Sequence, residues 1–254
     1  MTSPDGDDDR AFDSYPLSLP LFSRDDFALR FTRPVTIIVG ENGSGKSTLL
    51  EAIAKLAGFS VMGGSRNHIN YDREDVELAQ HLRLSWLPKV GNGFFLRAET
   101  MFNFASTIDE LAHEPGGSYD AYGGKSLKQR SHGEGFLALF ENRFSSRGLY
   151  ILDEPEAALS PQRQIEFLRA IKRMERSENC QIIIATHSVL VAAYPDAQLL
   201  NVQDGRLVET GLHKLTHFKT LYNFFYNPDA FIEDALSEEQ DDEDCDAQDD
   251  FDDA

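Results

Sequence analysis

Residues 35–54 read VTIIVGENGSGKSTLLEAIA, and this stretch decides the fold. It begins with a run of β-branched residues, passes through a glycine-rich turn and continues into a segment with helical apolar spacing. Residues 40–47 match the pattern G-x-x-x-x-G-K-[ST] in full. A strand and a helix joined by such a loop form a phosphate-binding element, so we expect the chain to bind a nucleoside triphosphate.

The chemistry of each loop residue suits this role. Gly40, Gly43 and Gly45 let the backbone turn tightly and point its N–H groups at phosphate oxygens. Lys46 can reach the β- and γ-phosphates, and the Ser47 hydroxyl can bind Mg²⁺. The residues predicted to bind nucleotide are Gly40, Glu41, Asn42, Gly43, Ser44, Gly45, Lys46, Ser47 and Thr48.

A second motif, LYILDEP at residues 149–155, places two acids where an apolar strand is predicted to end. In parallel sheets, ligands gather outside the carboxyl ends of the strands. Asp153 suits a water-bridged contact to Mg²⁺, and Glu154 can act as the general base on an attacking water. Alone, the pair could equally be a solvated turn before a proline. The phosphate loop upstream favours the functional interpretation.

Strands and helices alternate along the rest of the chain, which predicts an α/β fold. Ser160 and Pro161 indicate a helix N-cap followed by proline at the first helical position. Asp204 and Gly205 indicate a β-hairpin turn. The further strands are predicted at residues 82–86, 94–97, 149–152 and 182–185, and the further helices at 99–112, 131–144, 161–177 and 215–226.

Charge is concentrated at the two ends of the chain. The sequence has 43 acidic and 24 basic side chains, a net charge of −19, and no Lys or Arg follows Asp229. Between the ends the chain is close to neutral. We therefore expect a flexible acidic N-terminus at 1–14, one domain at 15–236 and a disordered acidic tail at 237–254. The overall charge argues against a protein that coats nucleic acid generally.

The compartment follows from what the sequence lacks. Its apolar runs are far shorter than the ~20 residues that span a bilayer, so we expect no direct membrane insertion. The first residues have no basic and apolar pattern of a secretory signal. The two cysteines, Cys180 and Cys245, form neither a disulfide framework nor a metal-ligand spacing. A cytoplasmic location is predicted.

Several motifs, in order and spacing, resemble those of one superfamily. They are GENGSGKSTLLEAIA from Gly40, GFFLRAE from Gly93, YGGKSLKQRSHGEGFLALFENRF from Tyr122, LYILDEPEAALSP from Leu149, IIIATHS from Ile182 and FFYNPDAF from Phe224. Over roughly residues 15–235 the chain resembles the ATP-binding-cassette (ABC) ATPases, within them the small stand-alone RecF/SMC-like proteins of bacteria. The resemblance implies a P-loop NTPase fold of ABC type: a mostly parallel sheet flanked by helices, with a small helical signature subdomain.

The resemblance also implies a homodimer that sandwiches two ATP molecules with Mg²⁺. Ser131, Gly133 and Glu134 fill the signature position, which contacts the nucleotide of the other copy. A serine N-cap with exposed glycine N–H groups is an anion site in its own right, although an ordinary helix cap is the alternative. His187 fills the position of the switch histidine and joins Lys46 and Glu154 as a catalytic candidate; a structural histidine at a strand end is the alternative.

The sequence departs from the family pattern at several positions. Glu99 stands where a glutamine that contacts Mg²⁺ is expected, and we expect it to join Ser47 and Asp153 as a metal ligand. Gln80 is a weaker candidate for that glutamine. No Tyr sits at the position of the aromatic residue that usually stacks on adenine, and Phe22 is a weak substitute. Two further departures are Ser160, in place of an Asp after the second motif, and Arg130, in place of an apolar residue before the signature.

The function predicted is a soluble ATPase that dimerises around Mg²⁺ and ATP and drives a conformational cycle on a partner. The partner could be a protein or DNA, with repair or defence as candidate processes. Two alternatives stay open: the ATP-binding subunit of a transporter, and a nucleotide-dependent switch without catalysis. The basic side chains of the helix after Pro161 could meet DNA or an acidic partner, but interspersed glutamates favour a solvated face.

Overall fold

A computed structural model describes residues 14–24, 27–61, 64, 76–86, 91–143, 147–176 and 180–244. Of the predicted acidic N-terminus, only Ser14 is among the described residues. Residues 245–254 of the predicted tail also lie outside them. The chain divides into two compact units, Met1–Thr210 and Gly211–Ala254. The first unit contains every strand of the described sheet.

The sheet of the first unit has six strands in the order β2-β3-β4-β1-β5-β6. Neighbouring strands pair in parallel except for the β5–β6 hairpin, which turns at Asp204 and Gly205 as predicted. The strands are β1 (Val35–Val39), β2 (Gly93–Arg97), β3 (Gly148–Asp153), β4 (Cys180–Ala185), β5 (Gln198–Gln203) and β6 (Arg206–Glu209). The helices of this unit are α1 (Lys46–Ala57), α2 (Glu77–His81), α3 (Met101–His113), α4 (His132–Arg143), α5 (Pro161–Glu175) and α6 (Val189–Ala192).

The core explains why the central strands are continuous apolar runs. Every residue of β1 and β3 is buried, as expected for parallel strands covered on both faces. Leu49, Leu50 and Ile53 of α1 pack in the same cluster as residues of β1, β3 and β4. Burying one such side chain stabilises the fold by about 1.5–3 kcal/mol. This packing fixes the start of α1 beside the ends of β1 and β3.

The strand predicted at residues 82–86 is absent, so that prediction is wrong. Residues 82–86 have no regular secondary structure and lie outside the hydrogen-bonded sheet, although the backbone of Leu82 is extended. Leu82, Leu84 and Trp86 are partly buried against the core, which explains the alternating apolar pattern. Period-two alternation indicates one buried face, and a segment can bury that face against the core without a neighbouring strand.

The signature region is helical, as predicted. Between β2 and β3 the chain forms α3 and α4, joined by short 3₁₀ turns at Asp120–Tyr122 and Leu127–Gln129. Phe104 of α3 packs edge-on against Phe94 of β2, with the ring centroids 5.3 Å apart. Aromatic packing thus holds this helical insertion against the edge of the sheet.

The second unit contains α7 (Thr216–Tyr226) and α8 (Pro228–Asp244). Helix α7 ends before Pro228, as predicted. Helix α8 runs from Pro228 to Asp244, and disorder of the acidic tail stays a prediction. The side chain of Asn227 caps the start of α8, because its Oδ1 accepts a hydrogen bond from the Ala230 N–H at 3.3 Å, and Pro228 is the first residue of the helix. Once a helix has started, adding residues to it costs less free energy than nucleating a new one. In the described parts of the chain, no helix has the length and apolar character needed to cross a bilayer.

Candidate active site

The loop between β1 and α1 adopts a conformation that only its glycines allow easily. Gly43 and Gly45 have φ angles of 74° and 93°, in the left-handed region that disfavours other residues. A Cβ atom at Gly45 would lie 3.1 Å from a ring carbon of the buried Phe22. The loop then leads directly into the N-terminus of α1, where backbone N–H groups and the helix dipole favour an anion. The fit to phosphate groups is therefore geometric as well as chemical.

Lys46 folds back over this loop. Its Nζ donates hydrogen bonds to the carbonyl oxygens of Gly40 at 2.8 Å and Glu41 at 2.9 Å. The side chain is 4% exposed, and burial lowers its pKa although Glu154 and Asp153 act in the opposite direction. The amine is thus held at the mouth of the loop, where it can meet phosphate oxygens.

Ser47 and Asp153 meet although they are far apart in sequence. The Ser47 hydroxyl donates to Asp153 Oδ1 at 3.0 Å. Asp153 is 2% exposed, and burial raises its pKa to about 6, although Arg97 and the Ser47 hydrogen bond lower it. Hydroxyl and carboxylate oxygens are the donors that Mg²⁺ prefers, and Mg²⁺ usually takes its other ligands from phosphates and water. The pair therefore fits a Mg²⁺ ion that arrives with a nucleotide.

Glu154 and His187 face each other at the ends of neighbouring strands. Glu154 Oε1 lies 3.5 Å from His187 Nε2, and both side chains are about one third exposed, at 37% and 27%. Glu154 has a φ angle of 49°, which is uncommon for a residue with a side chain. Such backbone strain concentrates at functional sites. This backbone conformation directs the Glu154 side chain away from β3 and toward His187 in the segment after β4.

Glu156 is a residue of the site that our sequence interpretation missed. Its Oε1 accepts hydrogen bonds from the backbone N–H groups of His187 at 2.6 Å and Ser188 at 3.2 Å. The Ser188 hydroxyl in turn donates to Gln164 Oε1 at 2.6 Å. This network fixes the segment that carries His187. The signal available in the sequence was a third acid two residues after Glu154, opposite the end of an adjacent strand.

The signature residues form a capping box at the start of α4. The Ser131 N–H donates to Glu134 Oε2 at 3.0 Å, and the Glu134 N–H donates to Ser131 Oγ at 3.4 Å. Arg163 of α5 pairs with Glu134 Oε1 at 3.2 Å, and a Cβ at Gly133 would lie 2.8 Å from Arg163 Cδ. The predicted helix cap is confirmed. Contact of Ser131, Gly133 and Glu134 with a second copy's nucleotide stays a prediction.

The structure bears differently on the two weaker candidates, Glu99 as a metal ligand and Phe22 as the residue that stacks on adenine. Glu99 is 76% exposed, and its Oε2 lies 3.9 Å from Arg97 Nε, so its role as a metal ligand stays a prediction. Phe22 is buried and packs edge-on against Phe27, which makes its assignment to adenine stacking wrong. Tyr15 is 68% exposed, and its hydroxyl lies 3.1 Å from Thr48 Oγ1 in the first turn of α1. Tyr15 is therefore an exposed aromatic side chain that the structure places beside the loop, whereas Phe22 is buried under it.

Two family models match the chain. One is described as an AAA domain and matches residues 11–101, which include the phosphate loop. The other is described as "AAA domain, putative AbiEii toxin, Type IV TA system" and matches residues 135–193, which include Asp153, Glu154 and His187. The two matches together contain both halves of the site described above. These matches support the predicted assignment of the chain to the P-loop ATPases of ABC type.

Curated proteins similar to this chain include import proteins. It is 28% identical over 207 residues to the molybdenum import ATP-binding protein ModC of Rhizobium johnstonii, covering 73% of the chain and 56% of the relative. It is 31% identical over 179 residues to the aliphatic sulfonates import ATP-binding protein SsuB of Pseudomonas entomophila, covering 66% and 62%. The chain spans about half the length of the first curated relatives it matches.

Solved structures similar to this chain include an SMC head domain and a transporter ATPase. One is the SMC head domain from Thermotoga maritima, with 18% identity, a TM-score of 0.40, and coverage of 72% of this chain and 92% of that one. Another is cbiO1 from Clostridium perfringens, described as part of an ABC transporter complex, with 16% identity, a TM-score of 0.44, and coverage of 81% and 89%.

Proposed function

We propose that this chain is an ATPase that binds ATP with Mg²⁺ and forms a homodimer around two ATP molecules. Hydrolysis would drive a conformational cycle that acts on a protein or DNA partner in the cytoplasm. The observation that carries the proposal is that three elements far apart in sequence meet at the carboxyl ends of the sheet's parallel strands. Lys46 and Ser47 come from α1, Asp153 and Glu154 from the end of β3, and His187 from the segment after β4.

Each side chain has a role that its position supports. The loop N–H groups and Lys46 neutralise phosphate charge, and phosphoryl transfer depends mainly on such positioning and charge stabilisation. When bound, Mg²⁺ would add positive charge at the phosphates, with Ser47 and Asp153 holding it. Glu154 takes a proton from the attacking water as a general base. His187 orients that water, and Glu156 keeps the His187 backbone in place.

A homodimer is proposed because the signature turn, at residues 131–134, would be a second anion site in the same chain. Its Ser131 and Glu134 groups belong to a different contact network from that of Lys46 and Ser47. A second copy would bring this turn to the nucleotide on the loop. The capping box and Arg163 hold the turn in one conformation before that contact is made.

A second candidate function, the ATP-binding subunit of a transporter, is favoured by the names of the curated relatives. It predicts a membrane-integral partner that copurifies with the chain and raises its ATPase rate. The stand-alone ATPase predicts hydrolysis by the purified chain alone. A nucleotide switch without catalysis predicts nucleotide binding with no turnover above background.

The dimer is tested by measuring the solution mass of the Glu154→Gln variant with and without ATP and Mg²⁺. A block of hydrolysis should trap the ATP-bound dimer, so the mass should double only when ATP is present. A monomer at saturating ATP would contradict the proposal. Adding duplex DNA to the wild-type ATPase assay then distinguishes a DNA-dependent rate from a DNA-independent one.

A further inference from the structure

Arg97, the last residue of β2, places a positive charge beside the acid of the candidate Mg²⁺ site. It stands opposite Asp153 in the parallel register of β2 and β3. Its Nε lies 3.1 Å from Asp153 Oδ2, and its Nη1 pairs with Glu51 Oε1 of α1 at 2.5 Å. Glu99 is more distant, at 3.9 Å. The roles proposed so far do not use this arginine.

The two carboxylate oxygens of Asp153 have different partners. Oδ1 accepts the hydrogen bond from Ser47, and Oδ2 faces Arg97. Both oxygens of a planar carboxylate are thereby held, which fixes the orientation of the group. Arg97 leaves Oδ1 directed toward Ser47, the hydroxyl that we assign to Mg²⁺.

These contacts form a closed ring. Ser47 and Glu51 lie one turn apart on α1, where side chains four residues apart share a face. Ser47 contacts Asp153, Asp153 contacts Arg97, and Arg97 returns to Glu51. The ring ties the first turns of the phosphate-loop helix to the end of β3. A shift of Asp153 would therefore require Arg97 or α1 to move as well.

Asp153 needs a cation because it is buried. A carboxylate with 2% of its surface exposed is costly to keep ionised unless a charge or hydrogen bonds compensate it. Lys46 is near enough to interact with Asp153, but its Nζ donates to the carbonyl oxygens of Gly40 and Glu41. Among the ion pairs of the described residues, the one that Asp153 makes is with Arg97.

We propose that Arg97 is the positioning residue of the Mg²⁺ site. Its guanidinium compensates the charge of Asp153 and holds the carboxylate with Oδ1 directed toward Ser47, where Mg²⁺ would bind. A planar guanidinium contacts two carboxylates at once through separate nitrogens, which a lysine ammonium cannot do with the same geometry. The inference rests on the proposed function only in taking Ser47 and Asp153 as the side chains that hold Mg²⁺.

The test compares the affinity for a fluorescent ADP analogue in excess Mg²⁺ and in excess EDTA. For Arg97→Gln we expect the ratio of these two affinities to fall about tenfold, as is common when a residue that orients a metal ligand is lost. The affinity in EDTA should change much less, because the loop and Lys46 are untouched. Arg97→Lys keeps the charge and should restore part of the ratio. The control is Arg206→Gln, an exposed arginine on β6, which should change neither affinity.

Two results would overturn the proposal. If both affinities of Arg97→Gln fall by the same factor, Arg97 is only structural. If the ratio stays the same or rises, Arg97 does not prepare the site for Mg²⁺. Should Arg97→Gln fail to fold, Glu51→Gln breaks the same ring at α1 and should also lower the ratio, by a smaller factor; an unchanged ratio counts against the proposal. Failure of the wild type to bind ADP at all would instead reject the proposed function.

Discussion

The Oε1 atom of Glu156 accepts hydrogen bonds from two successive backbone N–H groups, and the shorter one, at 2.6 Å, comes from His187. One carboxylate after β3 thus holds the segment after β4 that carries the candidate switch histidine. His187 also lies 3.5 Å from Glu154, the candidate base. Glu156 therefore links the positions of the two groups that we expect to handle the attacking water.

Replacing Glu156 should affect turnover more than nucleotide binding. Glu156→Ala removes both hydrogen bonds, so we expect kcat to fall about tenfold or more because His187 is displaced from the reacting water. Glu156→Gln keeps one acceptor oxygen and should lose less. The measurement is steady-state ATP hydrolysis with ADP affinity in parallel, and Glu114→Gln, exposed after α3, is the control. Equal losses in kcat and ADP affinity would show that Glu156 supports the fold instead.

Glu134 and Glu141 give a matched test of the signature turn. Both are exposed glutamates of α4 that pair with arginines of α5 at 3.2 Å, but only Glu134 belongs to the capping box. Glu134→Ala should abolish the ATP-dependent doubling of mass in the Glu154→Gln background while ADP affinity stays unchanged, because the turn acts on a second copy's nucleotide. Glu141→Ala should leave both unchanged. Loss of dimers in both variants, or in neither, would contradict the role of the turn.

Burial of Asp153 predicts how stability depends on pH when metal is absent. Burial raises its folded-state pKa from 3.8 to about 6, so the folded protein binds an extra proton between these values and loses stability as pH rises through them. Asp153→Asn stays neutral and avoids that loss. In urea titrations with EDTA, we expect the variant to gain about 1–3 kcal/mol over wild type near pH 7.5, shrinking toward zero near pH 4. Asp204→Asn in the exposed hairpin turn is the control, and a variant less stable than wild type near pH 7.5 would contradict the prediction.

Tyr15 is expected to contact the base of the nucleotide. Its exposed ring lies beside the first turn of α1, and stacking on an aromatic face contributes about 0.5–1.5 kcal/mol. Tyr15→Ala should therefore weaken ADP binding by about two- to tenfold, whereas Tyr15→Phe keeps the ring and should retain most of the affinity. Tyr222→Ala, which removes an exposed tyrosine of α7, is the matched control. An unchanged affinity in Tyr15→Ala would exclude the contact.

The sequence predicted the parts of the site that lie within a single motif. The phosphate loop needs glycines at fixed spacing for steric reasons, and the acids after β3 follow from where a buried strand ends. Ser160 was likewise predicted as the N-cap of α5, and its Oγ accepts from the Arg163 N–H at 3.5 Å. These features are local, so the pattern of residue types is enough to place them.

Contacts between side chains of different motifs could not be predicted from the sequence, because they depend on which strands and helices are neighbours in the fold. Arg97 meets Glu51 because α1 packs against β3, the neighbour of β2. Glu156 meets the His187 backbone because β3 and β4 are neighbours in the sheet. Phe22 looked like a ligand contact because burial is not visible in an aromatic residue type alone.

We expect this site to hydrolyse ATP with Glu154 as the general base. The most direct measurement is the rate of phosphate release from ATP and Mg²⁺ by the purified wild type and Glu154→Gln, with nucleotide affinity measured on the same samples. We expect the variant to lose at least about 10²-fold in kcat, the usual contribution of general-base catalysis, while it binds nucleotide as tightly as wild type. A variant that hydrolyses ATP at the wild-type rate, or a wild type with no turnover above background, would contradict the account.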